Sequence, residues 1–347
     1  MEKNMSVTIK DVAKAAGVSV STVSLVINES ELVKLETRYK VLQKIEELNY
    51  IPNLYARSLV TKRKNVIGLT WMTYNDSTDR FSFKGHADTY LTEMLPSIEK
   101  EVNLSNYSMI LEHYSINNTE QTLPSIMKNE KVDGMLIMGG IVNDTVLARI
   151  KSTNLPTVLL GSRHEDFDYV DTDSTLGIYK GTKYILEQGH KDIVFINTGA
   201  YSQSSERKLL GFQRAMEEKG VKIKEGWVGQ SDYSGQGAYN VMKEMWESGI
   251  RPTAIIGGYD CIALGAFRFL SNQGLRCPEN ISVIGFEDNI LAEYSNPPLT
   301  TVRVFKSKLG LEACKVLFNR IKKPNAKNVR LIIEPELEIR ESVRNIN

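Results

Sequence analysis

From Val66 onward, short apolar runs of strand length alternate with segments of helix length, and this limits the fold more than any other feature of the chain. The runs VIGLTW, YSMILE, GMLIM, TVLL, DIVFI, TAIIGG and ISVIGF are bounded by Gly, Asp, Asn or Pro. Segments such as Leu176–Glu187 and Glu206–Lys219 separate them. A chain that inserts a helix between successive strands pairs those strands in parallel, so the pattern predicts parallel sheets with helices on both faces. Residues 66–347 are too many for one comfortable sheet, which predicts two similar α/β subdomains around a cleft. Clefts at the carboxyl ends of parallel strands hold ligands.

The first 50 residues carry helical periodicity only. Ile9, Val12, Ala13 and Ala16 mark one helix face, Val18, Thr22, Val23 and Val26 a second, and Val41, Leu42, Ile45 and Leu48 a third. Between the first two the chain reads AAGVSVST, where Gly17 supplies the positive φ of a tight turn and Ser19 can cap the next helix. That is the arrangement of a helix-turn-helix, although a helix pair around a Gly turn also occurs as plain packing. As a DNA reader, the motif sends the start of its second helix to base edges, making Val20, Ser21, Ser24 and Leu25 the candidates and Asn28 a further contact. Thr22 and the amides at helix N-termini suit phosphates.

Charge and cysteine content agree with a cytoplasmic partner of a polyanion. Residues 1–65 hold 11 Lys/Arg against 7 Asp/Glu, a net of +4, which leaves −3 for the rest of a chain whose total is +1. Cys261, Cys277 and Cys314 have no paired spacing and read as reduced core thiols. The N-terminus lacks the apolar segment of a signal peptide, and no run approaches the roughly 18 apolar residues of a membrane span.

VTIKDVAKAAGVSVSTVSLVIN, followed by ELNYIPNLYARSL, resembles the headpiece of the lactose/galactose repressor (LacI/GalR) family of bacterial transcription regulators. The resemblance continues in order through KVDGMLIM at 131–138, LEQGHKDIVFI at 186–196, LLGFQRAMEEKGV at 209–221, RPTAIIGGYDCIALGA at 251–266, ISVIGFEDN at 281–289 and PPLTTV at 297–302. It implies an all-α helix-turn-helix headpiece over residues 1–51, a hinge helix and linker over 52–65, and a core over 66–347 of two Rossmann-like, periplasmic-binding-protein-like subdomains. The first subdomain is expected at about 66–168 and 298–322, the second at about 169–297 and 323–347. The implied partners are double-stranded operator DNA, a small-molecule effector and a second copy of the chain. No cofactor, metal or membrane is implied.

In this family a hinge leucine wedges into the minor groove at the operator centre; the matching residue is Leu59, with Ala56 making the close approach and Arg57 available to phosphate. Two departures stand out in the headpiece. Leu25 occupies a place where many members carry a base-contacting Arg or His, and it offers only apolar contact, for example to a thymine methyl. Lys34 stands where the third helix usually starts from a Ser cap.

Carried over by position, the effector residues are Asp173, Lys208, Tyr233, Tyr259, Asp260, Glu287 and Phe305, to which the segment after the first core strand adds Trp71 near the expected cleft mouth. Tyr233 and Phe305 match aromatic platforms, and Asp173 serves equally as ligand or helix cap. Lys208 replaces the usual Arg, Tyr259 the usual Asn, and Glu287 the usual Asp, while a bulky segment at 71–90 replaces a short loop. Lys is a flexible point charge where Arg is a rigid fork, so the ligand is expected to differ from the standard ones, as a sugar or sugar derivative.

An enzyme reading has little to stand on, since no phosphate loop, nucleophile elbow or zinc-helix motif is present and His86, His113, His164 and His190 are scattered. A transporter's solute-binding protein would share the core alone. An effector-responsive repressor of a carbohydrate operon is the expectation; an activator or corepressor-dependent regulator answering to a non-sugar molecule is the alternative.

Overall fold

The computed structural model describes residues 7–27, 30–50, 64–73, 86–115, 123–128, 131–139, 144–199 and 202–347. The chain divides into two compact units, Met1–Lys64 and Asn65–Asn347. Of residues 52–65, where a hinge helix and linker are expected, 52–63 lie outside the described residues.

The first unit packs α1 (Ile9–Ala16), α2 (Val20–Ile27) and α3 (Leu35–Glu47) around Val12, Ala16, Val23, Val26, Val41 and Tyr50. At the start of α1, Thr8 and Asp11 form a reciprocal capping box, the Thr8 amide donating to Asp11 Oδ2 at 2.9 Å. Gly17, at φ 63°, ends the helix in the left-handed conformation that allows the tight turn into α2. Ser19 Oγ accepts from the Thr22 amide at 3.1 Å and caps α2, whereas Lys34 provides no side-chain cap to α3. Leu42 departs from the expected core face: it is 46% exposed, because α3 buries the narrower stripe of Val41, Ile45 and Leu48 and Leu42 sits about 100° round the helix from Val41.

The second unit contains two six-stranded sheets. The first has the order β11-β5-β4-β3-β1-β2 and is parallel, with β1 Val66–Thr73, β2 Ser108–Ser115, β3 Gly134–Met138, β4 Thr157–Leu160, β5 Asp168–Thr172 and β11 Arg330–Ile333. The second has the order β12-β10-β9-β8-β6-β7, formed by β6 Ile193–Thr198, β7 Val228–Ser231, β8 Ala254–Gly257, β9 Ser282–Glu287, β10 Thr300–Arg303 and the antiparallel edge strand β12 Glu336–Glu338. Helices α4 (His86–Leu104), α5 (Asp144–Ser152) and α11 (Lys306–Lys322) accompany the first sheet. With the second run α6 (Ser174–Glu187), α7 (Gln203–Glu218), α8 (Gly235–Glu247), α9 (Asp260–Asn272) and α10 (Ile290–Tyr294). The central strands are buried along their whole length, as in GMLIM and TVLL, which is why they read as continuous apolar runs.

The subdomain bounds move from those expected. β5 lies wholly in the first sheet, β10 in the second and β11 in the first. The chain therefore crosses after Thr172, between Arg303 and Lys306, and between Ile333 and Glu336, rather than near 168, 298 and 322. A strand has to complete its ladder in one sheet, so crossings fall in the irregular residues between strands.

Candidate functional site

Two surfaces matter. On α2, Val20, Ser21 and Leu25 are exposed and Ser24 and Thr22 half-buried, while Val23 and Val26 face the core. Val20, Ser21, Ser24 and Leu25 thus share one face, and Leu25 at 37% exposure presents an apolar side chain on it. Ser19 is exposed and its hydroxyl is shared with Thr22 Oγ1 at 2.9 Å, so this pair is an N-terminal cap first. Asn28, Ala56, Arg57 and Leu59 lie outside the described residues.

The second surface is where the carboxyl ends of the two sheets meet. Asp171 is the last residue but one of β5 and its side chain is 4% exposed; its Oδ2 accepts from Arg163 Nε at 2.6 Å and from Arg207 Nη2 at 2.9 Å. Arg163 follows β4 in the first subdomain, whereas Arg207 projects from α7 in the second. Gly211 lets α7 lie close on α6, since a Cβ there would stand 2.2 Å from Thr175 O. Burial lowers the Arg207 pKa, opposed by the charge of Asp171.

Lys208 is completely buried: its Nζ donates to Gly258 O at 2.7 Å and lies 3.2 Å from the Tyr259 ring centroid and 4.2 Å from that of Phe286. Burial pushes its pKa down to about 7 against the pull of Glu287. Tyr259, also buried, packs its ring 5.3 Å from that of half-buried Tyr233. The Tyr259 phenol is raised far above its ordinary value by burial, then by Tyr233 and Glu287. The Tyr90 phenol on α4 is raised likewise, by burial and then by Asp171 and Glu287, which places it within the influence of acids from both subdomains. Glu287 is 2% exposed and has φ 119°, a conformation that costs a non-Gly residue about 1–3 kcal/mol and gathers at functional sites. Lys306 Nζ steadies this turn by donating to Glu287 O and Asp288 O and pairs with Glu93 Oε2 at 2.6 Å.

Lys208, Tyr233, Tyr259 and Glu287 are therefore brought together, and the other four positions are placed differently. Asp260 is buried and spends its carboxylate on Thr301 Oγ1 and the Asn289 amide, tying α9 to β10 and the start of α10. Asp173 caps α6 through the Leu176 amide at 3.0 Å. Trp71 packs its ring 5.1 Å from that of His113 on the neighbouring β2. Phe305 lines a groove of about 610 Å³ between α11 and β11, with Lys308, Glu312 and Leu331. Arg163, Asp171 and Gln203 escaped the sequence reading, since Asp171 lies on a strand too polar to be recognised and Arg163 follows β4 in the polar run SRHEDFD.

Buried polar atoms without a hydrogen-bond partner, among the described residues, include Ser162 Oγ, Thr172 Oγ1, Asn197 Oδ1, Ser231 Oγ and Arg207 Nε. The first four belong to the carboxyl ends of β4, β5, β6 and β7 or the residues just beyond. Such a concentration of unmet polar groups at strand ends is what a polar ligand would satisfy. Among the described residues, no group of three or more His, Cys, Asp or Glu is arranged to hold a metal ion, and no helix is long and apolar enough to cross a membrane.

Residues 8–53 match the family model for bacterial regulatory proteins of the lacI family, and residues 182–343 match the periplasmic binding protein-like domain. The HTH-type transcriptional repressor PurR of Pasteurella multocida (strain Pm70) is 35% identical over 343 residues, spanning 97% of this chain and 98% of the relative. PurR of Histophilus somni (strain 129Pt) is 34% identical over 344 residues, spanning 98% and 99%. Among solved structures, the transcriptional regulator CelR in complex with cellobiose superposes with a TM-score of 0.72 at 26% identity, covering 97% of this chain and 99% of that one. The lac repressor dimer bound to operator and the anti-inducer ONPF gives 0.84 at 24% identity, covering 98% and 99%, a likeness of fold alone.

Proposed function

Because this chain belongs to the lacI family of bacterial regulatory proteins, with repressor relatives along its whole length, we propose that it is an effector-responsive repressor that binds a near-palindromic operator as a homodimer in the cytoplasm. It performs no catalysis. The α2 face of Val20, Ser21, Ser24 and Leu25 reads the major groove, Ser19, Thr22 and Asn28 support that contact, and Leu59 with Ala56 and Arg57 enters the minor groove. The second unit binds a sugar or sugar derivative between its subdomains, and the target is a carbohydrate operon.

The observation that carries the effector reading is the set of unpaired buried polar atoms at the strand ends, one of which, Ser231 Oγ, lies two residues before the half-buried ring of Tyr233. A polyhydroxylated ring supplies both donors and acceptors to such a set and lays its C–H face on an aromatic ring. A second reading, a purine-related effector, is favoured by the similarity to PurR, which exceeds the identity to the cellobiose-bound CelR. Titration calorimetry of the full chain against mono- and disaccharides, sugar phosphates and purine bases separates the two: heat from purines alone removes the sugar reading. Selection of sites from random DNA is expected to enrich a two-fold symmetric sequence, and enrichment of a lone asymmetric site contradicts the dimeric reading.

A further inference from the structure

The resemblance places an effector-binding Arg at position 208, yet the Lys found there is turned into its own subdomain, where it donates to Gly258 O. One residue earlier, about 100° round the same helix, a guanidinium crosses the cleft instead. Arg207 Nη2 reaches Asp171 Oδ2 at 2.9 Å, and the same carboxylate oxygen takes Arg163 Nε at 2.6 Å. One turn of α7 before Arg207, Gln203 grips the backbone of Arg163 twice: its Oε1 accepts from the Arg163 amide and its Nε2 donates to the Arg163 carbonyl, both at 3.1 Å. Arg207 Nη1 completes the circuit by donating to Gln203 Oε1 at 3.4 Å. The side chains of Asp171, Arg207 and Arg163 are 4%, 17% and 24% exposed, so these charge-assisted bonds are only weakly screened by solvent.

We propose that Arg207 and Gln203 are positioning residues that clasp the second subdomain to Asp171 and Arg163 of the first, holding the cleft closed, and that the role expected at position 208 has moved to Arg207. Arg207 Nε, Ser162 Oγ and Thr172 Oγ1 are buried without partners on or directly beside the clasp residues. The clasp therefore leaves polar capacity at the place where an effector would add its own bonds. Closure and effector contact then depend on the same side chain, and a ligand that satisfies Arg207 Nε tightens a contact already made. This consequence rests on the cleft reading above, but the clasp itself is tested without any effector.

Two backbone amides report the closed arrangement. The Arg163 amide is bonded to Gln203 across the cleft, and the Ile290 amide on α10 is bonded by Glu93 Oε1 of α4 from the first subdomain, at 3.2 Å. Hydrogen exchange of the ligand-free full chain is measured for the wild type, Arg207→Met and Arg207→Lys. Arg207→Met leaves Asp171 paired with Arg163, so no buried carboxylate is abandoned. Opening of the subdomains is expected to speed exchange by about tenfold or more at both reporter amides, the scale of one charged hydrogen bond. Exchange in the middle of α6 stays unchanged, and Arg207→Lys recovers most of the protection. Acceleration at Arg163 alone means a local contact and overturns the clasp, as does no acceleration at either amide. Equal acceleration throughout both sheets marks general destabilisation and also counts against it. Absence of sugar binding in calorimetry touches the effector reading and leaves this result standing.

Discussion

Lys208→Met tests the buried ammonium directly. The wild-type amine has its pKa pushed from 10.5 to about 7 by burial, with a single carbonyl bond to Gly258 O and two aromatic faces around it. In the unfolded chain the amine returns to its ordinary value, so between about pH 7 and pH 10 the unfolded state binds more protons than the folded one. Stability contributed by this group therefore rises with pH through that window and is flat below it. At about 1.4 kcal/mol per pH unit, reduced near pH 7 where the folded amine is still half-protonated, the wild type gains about 2 kcal/mol between roughly pH 7 and pH 9 relative to Lys208→Met. The absolute effect at neutral pH mixes relief of a buried charge with a Gly258 carbonyl left without its donor, so the slope carries the test. Calorimetric unfolding of both proteins across this range is expected to show the difference between their melting temperatures shift by about 4 °C toward the wild type from the neutral to the alkaline end. Parallel curves would show that the amine is charged in the folded protein throughout and refute the burial argument.

Further outcomes follow from other residues. Replacing Leu25 by Arg changes an exposed apolar contact into a bidentate donor, so site selection from random DNA should shift toward G at one position in each half-site, by about 1–3 kcal/mol of discrimination; an unchanged consensus means that Leu25 does not read bases. Lys34→Ser supplies the missing cap of α3 and is expected to add about 1 kcal/mol, slowing amide exchange there about fivefold; no slowing would remove the cap argument. Asp168 is 2% exposed and receives Arg320 Nε at 2.7 Å, Arg320 Nη2 at 2.9 Å and the Val329 amide at 2.7 Å, which ties α11 and the entry to β11 into the first sheet. Asp168→Asn removes the counter-charge of a guanidinium that keeps Pro324 O, Ala326 O, Lys327 O and Asn328 Oδ1 as acceptors, and should cost about 3 kcal/mol in chemical unfolding; a loss under about 1 kcal/mol would mean that these acceptors and solvent replace the pair.

The headpiece was legible at the level of single residues. The Gly17 turn, the Ser19 cap and the uncapped start of α3 all depend on neighbours within a few positions, and the sequence records such interactions directly. Leu42 was misplaced because one apolar residue too many lies near the α3 stripe, and only packing against α1 and α2 selects among them. In the core, the seven apolar runs announced buried parallel strands. Strands β5, β7, β10, β11 and β12 went unread because they are short and carry Asp, Gln, Arg or Glu, and with them the crossings between subdomains were misjudged.

The sequence by itself thus determined the three-helix unit, the alternating α/β core and the family to which both belong, since each is written in local periodicity or in ordered motifs. Only the tertiary structure decided which polar residues share the cleft. Asp260 and Asp173 look like ligands in sequence but spend their carboxylates on Thr301, Asn289 and the Leu176 amide. Arg163, Asp171, Gln203 and Arg207, separated by up to 44 positions, meet through ionic and hydrogen bonds. Adjacent residues on a helix point about 100° apart, so the difference between Lys208 turned inward and Arg207 reaching across is invisible in their order along the chain. It is set by the surfaces against which α7 packs.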